Sequence, residues 1–215
     1  MKKLILALLF VSSSAFAGNC DQLYIHSKQI AVKNTVELCS SFYVVAHNKE
    51  VKGPIVSFER FNAEHESAIR IDTFRSDTRL PFEDRSELKY YLHSGYDRGH
   101  MTPAADASNA NEMRDTFLLS NMTPQSKKLN RVKWRMLEDH VRHAVKGVTY
   151  VATVAIYGKD TLLIGNVGIP TMYYKIAWYA DGTNEAYSAL NRNDAEIKHI
   201  TIEEINKVTG IQFPK

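Results

Sequence analysis

Tyr96-Asp97-Arg98-Gly99-His100-Met101-Thr102-Pro103-Ala104-Ala105-Asp106 is the stretch whose reading decides the fold. Gly99 admits the backbone with no Cβ in the way, and Pro103-Ala104 fix the exit. The segment therefore reads as a strand running into a turn that displays His100 beside the Arg98 guanidinium. Further along stand Ser120-Asn121-Met122-Thr123-Pro124-Gln125, then Leu129-Asn130, Trp134, Leu137-Glu138 and Arg142. Val132, Met136, Val141 and Val145 recur at spacings of four or five, with Trp134, Leu137 and Ala144 beside them, and Lys146-Gly147 closes the run. This periodicity predicts a long helix over Leu129 to Val145.

Outward from that centre the pattern is β-rich. Ser41 to Ala46 and Ile55 to Phe61 predict two strands joined as a hairpin across a polar turn containing Gly53-Pro54. Ile71 to His100 is polar and aromatic without clean period, and an irregular stretch of that length in a compact domain usually carries function. Val148 to Tyr157, Met172 to Tyr179 and Ala186 to Leu190 predict three more strands, broken by Gly158, Gly165, Gly168 and Asp181-Gly182. Thr201-Ile202-Glu203-Glu204 has capping-box spacing, and Gly210 sits where a short final helix would stop. The expected class is mixed α+β with a mainly antiparallel sheet. No repeat, linker or charge block divides the chain, so residues 18–215 read as one domain.

The 215 residues are 44% hydrophobic and 24% charged with 10 Gly, 6 Pro and 2 Cys, which excludes a collagen-like repeat, a low-complexity tail and a disulfide-dense miniprotein. Lys2-Lys3, the apolar run Leu4 to Val11, Ser12 to Ser14 and Ala15-Phe16-Ala17 have the order of a secretory signal over residues 1–17. The apolar run falls far short of the roughly 20 residues that span a bilayer, so no membrane attachment is expected of the mature form. Cleavage near Ala17 would deliver the protein to the periplasm or the medium. Losing Lys2 and Lys3 takes the net charge from +3 to +1, so attraction to a polyanion has to come from local clustering. Cys20 and Cys39 are expected to pair in such an oxidising compartment; two free thiols, or a lipid on Cys20, are the alternatives.

The Asp97-Arg98-Gly99-His100 loop, Ser120-Asn121-x-x-Pro124-Gln125 and Leu129-Asn130-x-x-x-Trp134-x-x-x-Glu138 together resemble the DNA/RNA non-specific endonucleases of the ββα-metal (His-Me finger) superfamily, typified by the Serratia-type secreted nucleases. Arg70-x-x-x-Phe74-x-x-Asp77, Val167 to Lys175 and Thr209-Gly210-Ile211 with Phe213-Pro214 extend the likeness over most of the chain. The resemblance implies His100 as general base and Asn130 as the direct protein ligand of Mg²⁺, with Mn²⁺ as a substitute. Glu138 would act on the ion through water, and a ββα-metal site would place the metal ligand on the long helix. It also implies DNA and RNA as substrates and a product carrying a 5′ phosphate.

The residue types suit that chemistry. A neutral imidazole with an ordinary pKa near 6.5 can take a proton from water at neutral pH. A hard cation that keeps most of its waters can be docked by one amide oxygen. Eight helical residues from Asn130 to Glu138 rise about 12 Å and rotate by roughly 80°, which argues against direct co-ligation. Glu138 would therefore hold bound water, or else pair with Arg142 four residues on. Arg70 resembles the family arginine for the scissile phosphate, with Arg75 and Arg79 as competitors for that role. Arg98 would hold phosphate or the loop, and Asn121 the imidazole or the loop. Asp97 reads as a turn acceptor, Gln125 as part of a local hydrogen-bond network.

Lys127, Lys128, Arg131, Lys133 and Arg135 lie close together without an acidic neighbour in sequence. Lys127, Arg131 and Arg142 are candidate phosphate contacts, the whole run being either a backbone track or a solvated helix face. Tyr90, Tyr91 and Tyr96 stack on bases or pack beneath the loop. His140 and His143 lack the Glu and spacing of a zinc protease, and no phosphate-binding Gly-x-x-x-x-Gly-Lys loop is present. The rival to an enzyme is a non-enzymatic secreted module that binds nucleic acid or another polyanion on a nuclease scaffold. A protein inhibitor is a further candidate partner.

Overall fold

A computed structural model describes residues 20–215; the expected signal segment falls in residues 1–19, outside the described residues. In chain order the main elements begin with β1 (Val36–Cys39), β2 (Tyr43–Asn48), β3 (Gly53–Asn62), α1 (Leu88–Tyr91), β4 (Asp97–His100), α2 (Ala110–Thr116) and β5 (Met122–Gln125). A π-wound segment, Leu129–Trp134, runs directly into α3 (Arg135–His143). Then come β6 (Val148–Ile156), β7 (Leu163–Ile164), β8 (Val167–Gly168), β9 (Met172–Trp178), β10 (Asn184–Leu190), β11 (Lys198–His199) and α4 (Ile202–Thr209). The main sheet has seven strands in the order β1-β2-β3-β6-β9-β10-β11, every pair antiparallel. β4 pairs with β5, and β7 with β8, as separate two-stranded ribbons. The class is mixed α+β, as the periodicity predicted.

Two-residue alternation along the strands explains the layers. Val44, Val56, Phe58, Val154, Ile176 and Trp178 face a core closed by Ile202 and Ile205 of α4 and by Ile211 and Phe213. Phe61, Val151, Ala155, Tyr173 and Ala177 face the other way, against Leu129, Trp134, Leu137 and Val141 of the long helix. Tyr43 and Val45 meet Ala104, Met113 and Phe117 in a third cluster. The disulfide Cys20–Cys39 forms, with Cα atoms 5.9 Å apart, tying the N-terminal arm to the end of β1. Closing a loop of that length is worth about 3 kcal/mol in the chain-entropy picture.

The hairpin β2–β3 is present, but Gly53-Pro54 starts β3 instead of lying in the turn, since Asn48 Oδ1 accepts from the Glu50 and Val51 amides and folds the chain earlier. The final helix carries its capping box on Thr201 and Glu204 and ends on left-handed Gly210. The long helix ends at His143, not Val145. Its buried face also differs from the expected one: Val132 and Met136 are 46% and 61% exposed, while Leu129, Trp134, Leu137 and Val141 are buried. A π turn takes in an extra residue, so it rotates the side chains before it relative to those after it. Among the described residues no helix is long and apolar enough to cross a membrane.

Candidate active site

The site is assembled from three pieces of backbone. In the first, β4 lies antiparallel to β5 with Asp97 opposite Gln125 and His100 opposite Met122. Gly99 is required here by close approach: a Cβ would sit 2.2 Å from Gln125 Oε1. The Gln125 amide packs over Gly99 and, contrary to expectation, takes no hydrogen bond in the described structure. Asn121 is fully buried and does not reach the imidazole. Its Oδ1 accepts from the Thr102 amide at 2.9 Å, and its Nδ2 donates to the Thr102 and Thr116 carbonyls at 2.9 and 3.0 Å. It therefore holds the loop two residues past His100, a positioning role and not a catalytic one.

The second piece is His100 and its surroundings. Its Nε2 is buried with no hydrogen-bond partner. Burial, reinforced by the Arg70 and Arg98 guanidiniums, pushes the imidazole down to about 3, so the ring is neutral throughout the physiological range. An unfolded histidine titrates near 6.5. Between those two values the unfolded chain binds a proton that the folded one refuses, so His100 favours folding above pH 6.5 and loses that contribution progressively toward pH 3. Acid denaturation followed by circular dichroism should show His100→Gln removing about 1.4 kcal/mol per pH unit from the slope across that window. An unchanged slope would mean that the imidazole titrates normally in the folded protein.

The long helix is the third piece. Its start is docked by Asn191, whose Oδ1 accepts from the Ser126 amide at 2.8 Å, and by Asn193, whose Oδ1 accepts from the Lys128 amide at 3.0 Å. Asn130 Nδ2 donates to Asp97 Oδ2 at 3.0 Å, and Arg131 clamps the same carboxylate through two bonds of 2.7 Å. Partial burial raises the Asp97 carboxyl, but the Arg131 and Asn130 bonds outweigh it and hold the group below the usual carboxylate range. Asp97 thus fixes which end of the Asn130 amide is nitrogen, leaving Oδ1 as the acceptor.

His100, Asn130, Arg70, Arg98, Glu138 and Arg142 line one cavity of about 750 Å³, together with Asp97, Arg131, Asp72, Phe74, Tyr96, Arg135 and Asp139. Burial, with Asp106 adding to it and Lys175 and Arg142 opposing, lifts Glu138 to about 7. Arg142 is not a free phosphate hook: its Nε donates to buried Asp106 and its Nη1 reaches Asp139 at 3.4 Å. That pair ties the turn after His100 to the helix carrying Asn130 and Glu138. Arg75 and Arg79 face a different cleft, bonded to the Arg114 carbonyl and to Asp77, so Arg70 alone of the three lines the His100 cavity. Lys127 is exposed and lies outside the cavity lining. Arg131 and Lys133 meet Asp97 and Glu196, acidic partners that sequence neighbours could not reveal. Tyr96 lines the cavity, whereas Tyr91 is buried against Leu119 and Met122.

Two contributors were not singled out as site residues from sequence: Asp97 as the orienter of Asn130, and Phe74. Asp97→Asn keeps the shape but removes the charged acceptor shared by Asn130 and Arg131. If Asn130 holds a divalent ion, as the resemblance implies, titration of Mn²⁺ by paramagnetic resonance should show affinity falling about 10–100-fold, the usual cost of losing a partner behind a ligand. Undiminished affinity would show that Asp97 does not support such a ligand.

The family model for DNA/RNA non-specific endonucleases matches residues 21–215. Nuclease C1 of Cunninghamella echinulata is 31% identical over 205 residues, covering 80% of this chain and 79% of that protein. The mitochondrial nuclease of Saccharomyces cerevisiae is 33% identical over 62% of this chain, which spans 47% of that longer protein. Among solved structures, the crystal structure of an EndoG/EndoGI complex superposes with a TM-score of 0.79 at 26% identity, covering 93% of each chain. With the family model matching residues 21–215, from before β1 to beyond α4, this chain belongs to the DNA/RNA non-specific endonuclease family.

Proposed function

We propose that the protein is a secreted, metal-dependent endonuclease that hydrolyses phosphodiester bonds of both DNA and RNA with little sequence preference. One observation carries this: His100, whose Nε2 has no hydrogen-bond partner, shares a cavity with Arg70, Arg98 and Asn130, whose Nδ2 donates to Asp97 and so leaves its Oδ1 free to accept. The donor set fits a hard, water-rich cation. Among the described residues no group of three His, Cys, Asp or Glu side chains could hold a metal, which disfavours zinc-type ligation, whereas an amide oxygen near a carboxylate suits Mg²⁺ or Mn²⁺. Asn130 would hold the ion directly and Glu138 through water. When bound, the ion supplies charge stabilisation to the phosphate and to the departing 3′ oxygen.

The chain's own residues do the rest. His100 takes the proton from the attacking water. Arg98 and Arg70 hold the non-bridging oxygens, a geometry that a planar guanidinium matches. Contacts of this kind reach backbone and not base edges, which supports broad substrate acceptance. Residues 18–215 are read as one nuclease domain, and export rests on residues 1–17 alone. The EndoG structure named above is a complex with EndoGI that inhibits EndoG, which supports a protein inhibitor as a partner class. Plasmid DNA and RNA incubated with the protein should be cut with Mg²⁺ or Mn²⁺ and left intact with EDTA. Tight binding with no metal-dependent cutting would favour the polyanion-binding module instead.

A further inference from the structure

Phe74 and Phe117 meet edge to face, with ring centroids 4.8 Å apart at 86°. Arg98 lies 4.0 Å over the Phe74 ring, and Arg70 lies 5.1 Å over the Phe117 ring. Arg98 makes no salt bridge among the described residues, and its Nε is buried without a hydrogen-bond partner. Arg70 pairs with Asp72, but that pair is more than half exposed on both sides, a setting in which ion pairs contribute little. Two other guanidiniums bordering the cavity are held by carboxylates instead, Arg142 by Asp106 and Arg131 by Asp97, while Arg135 donates to the Arg131 carbonyl.

An aromatic face attracts a cation through its quadrupole yet carries no net charge. A carboxylate would hold the arginine equally well while cancelling its field. We infer that Phe74 and Phe117 are positioning residues for the reaction, seating Arg98 and Arg70 by cation–π contact so that both keep their full charge for the substrate phosphate. The edge-to-face arrangement presents two cation-bearing faces from one corner, half-buried at Phe74 and fully buried at Phe117. Phe117 is wholly buried and braced by Met113 and Leu80 in its cluster, so the corner is rigid. The inference rests on the nuclease reading, because it concerns the phosphate which that reading places in the cavity.

The test replaces Phe74, and separately Phe117, by mono-, di- and trifluorophenylalanine in the full-length protein, a series that weakens the ring quadrupole with little change in shape. At Phe74, kcat/KM on a short oligonucleotide should fall stepwise with each fluorine, reaching about tenfold for the trifluoro ring, with the melting temperature held. The same series at Phe117 should give a shallower slope, because Arg70 sits farther from its ring and keeps Asp72. Phe74→Leu should lose as much as the trifluoro ring, and Phe74→Tyr should restore activity. A flat response to fluorination at both positions, in a protein that His100→Ala still inactivates, overturns the inference while leaving the nuclease reading intact. Full activity of His100→Ala would instead remove the reading beneath it.

Discussion

His100→Ala should lose about 10²–10⁴-fold in kcat on plasmid DNA while its affinity for DNA stays within a few-fold of the parent, as expected when one positioned base is removed. The prediction follows from the division of labour in the cavity. In the proposed reaction Arg98 and Arg70, which line the same cavity and which the alanine leaves in place, grip the phosphate, whereas the proton acceptor is removed. Because the imidazole packs against the Phe74 and Phe117 rings, the truncation also opens a small void, so His100→Gln serves as a fuller-sized control. Both variants should be inactive, and filter binding in EDTA should report retained affinity. Comparable losses of binding and turnover would assign His100 to the grip. An active alanine variant would refute its role as base.

Asn130→Ala should fail differently. Its expected defect is in the metal: the Mg²⁺ concentration for half-maximal cleavage should rise by more than the roughly 10–100-fold that a supporting residue costs. Saturating Mn²⁺ should restore part of the rate. The exchange Asn130→Asp is informative because it keeps an oxygen while placing a second carboxylate where Nδ2 now donates to Asp97 at 3.0 Å. Repulsion between the two should cost more than the extra ligand charge returns, unless Asp97 is neutralised in the same molecule. Asn130→Ala with wild-type metal dependence would leave the helix without its proposed function.

Much of this was readable from residue order, and the parts that were not share a physical reason. Strands β2, β3, β6, β9 and β10 follow from β-rich runs between turn residues, and α4 from its capping box, because those signals are local. The pairing of His100 with Asn130 came from motif likeness, and the structure brings both to one cavity. The helix face was misjudged because a strict 3.6-residue period cannot register the π turn, which moved Val132 and Met136 outward. Asp97 reads as a turn residue until its partners 33 and 34 positions away fold against it. Arg142 looked like an exposed helix cation because Asp106, its buried partner, lies 36 residues earlier. Glu59 and Lys175 lie within expected strands but carry no local signal of their burial. Both are 1% exposed on the helix-facing side of the sheet, where alternation leads one to expect apolar residues. Lys175 donates to Thr153 at 2.6 Å, while burial and the nearby Asp106 push the Glu59 carboxyl well above its ordinary range. Long-range charge matching of this kind leaves no periodic trace in a sequence.

The most direct measurement is a crystal structure of the His100→Ala protein with Mn²⁺ and a short oligonucleotide, using anomalous scattering to find the ion. The account predicts a single ion on Asn130 Oδ1, a phosphate between it and the vacated imidazole position, and the Arg98 and Arg70 guanidiniums on that phosphate. An ion bound elsewhere with Asn130 uninvolved, or a phosphate seated away from position 100, would contradict it.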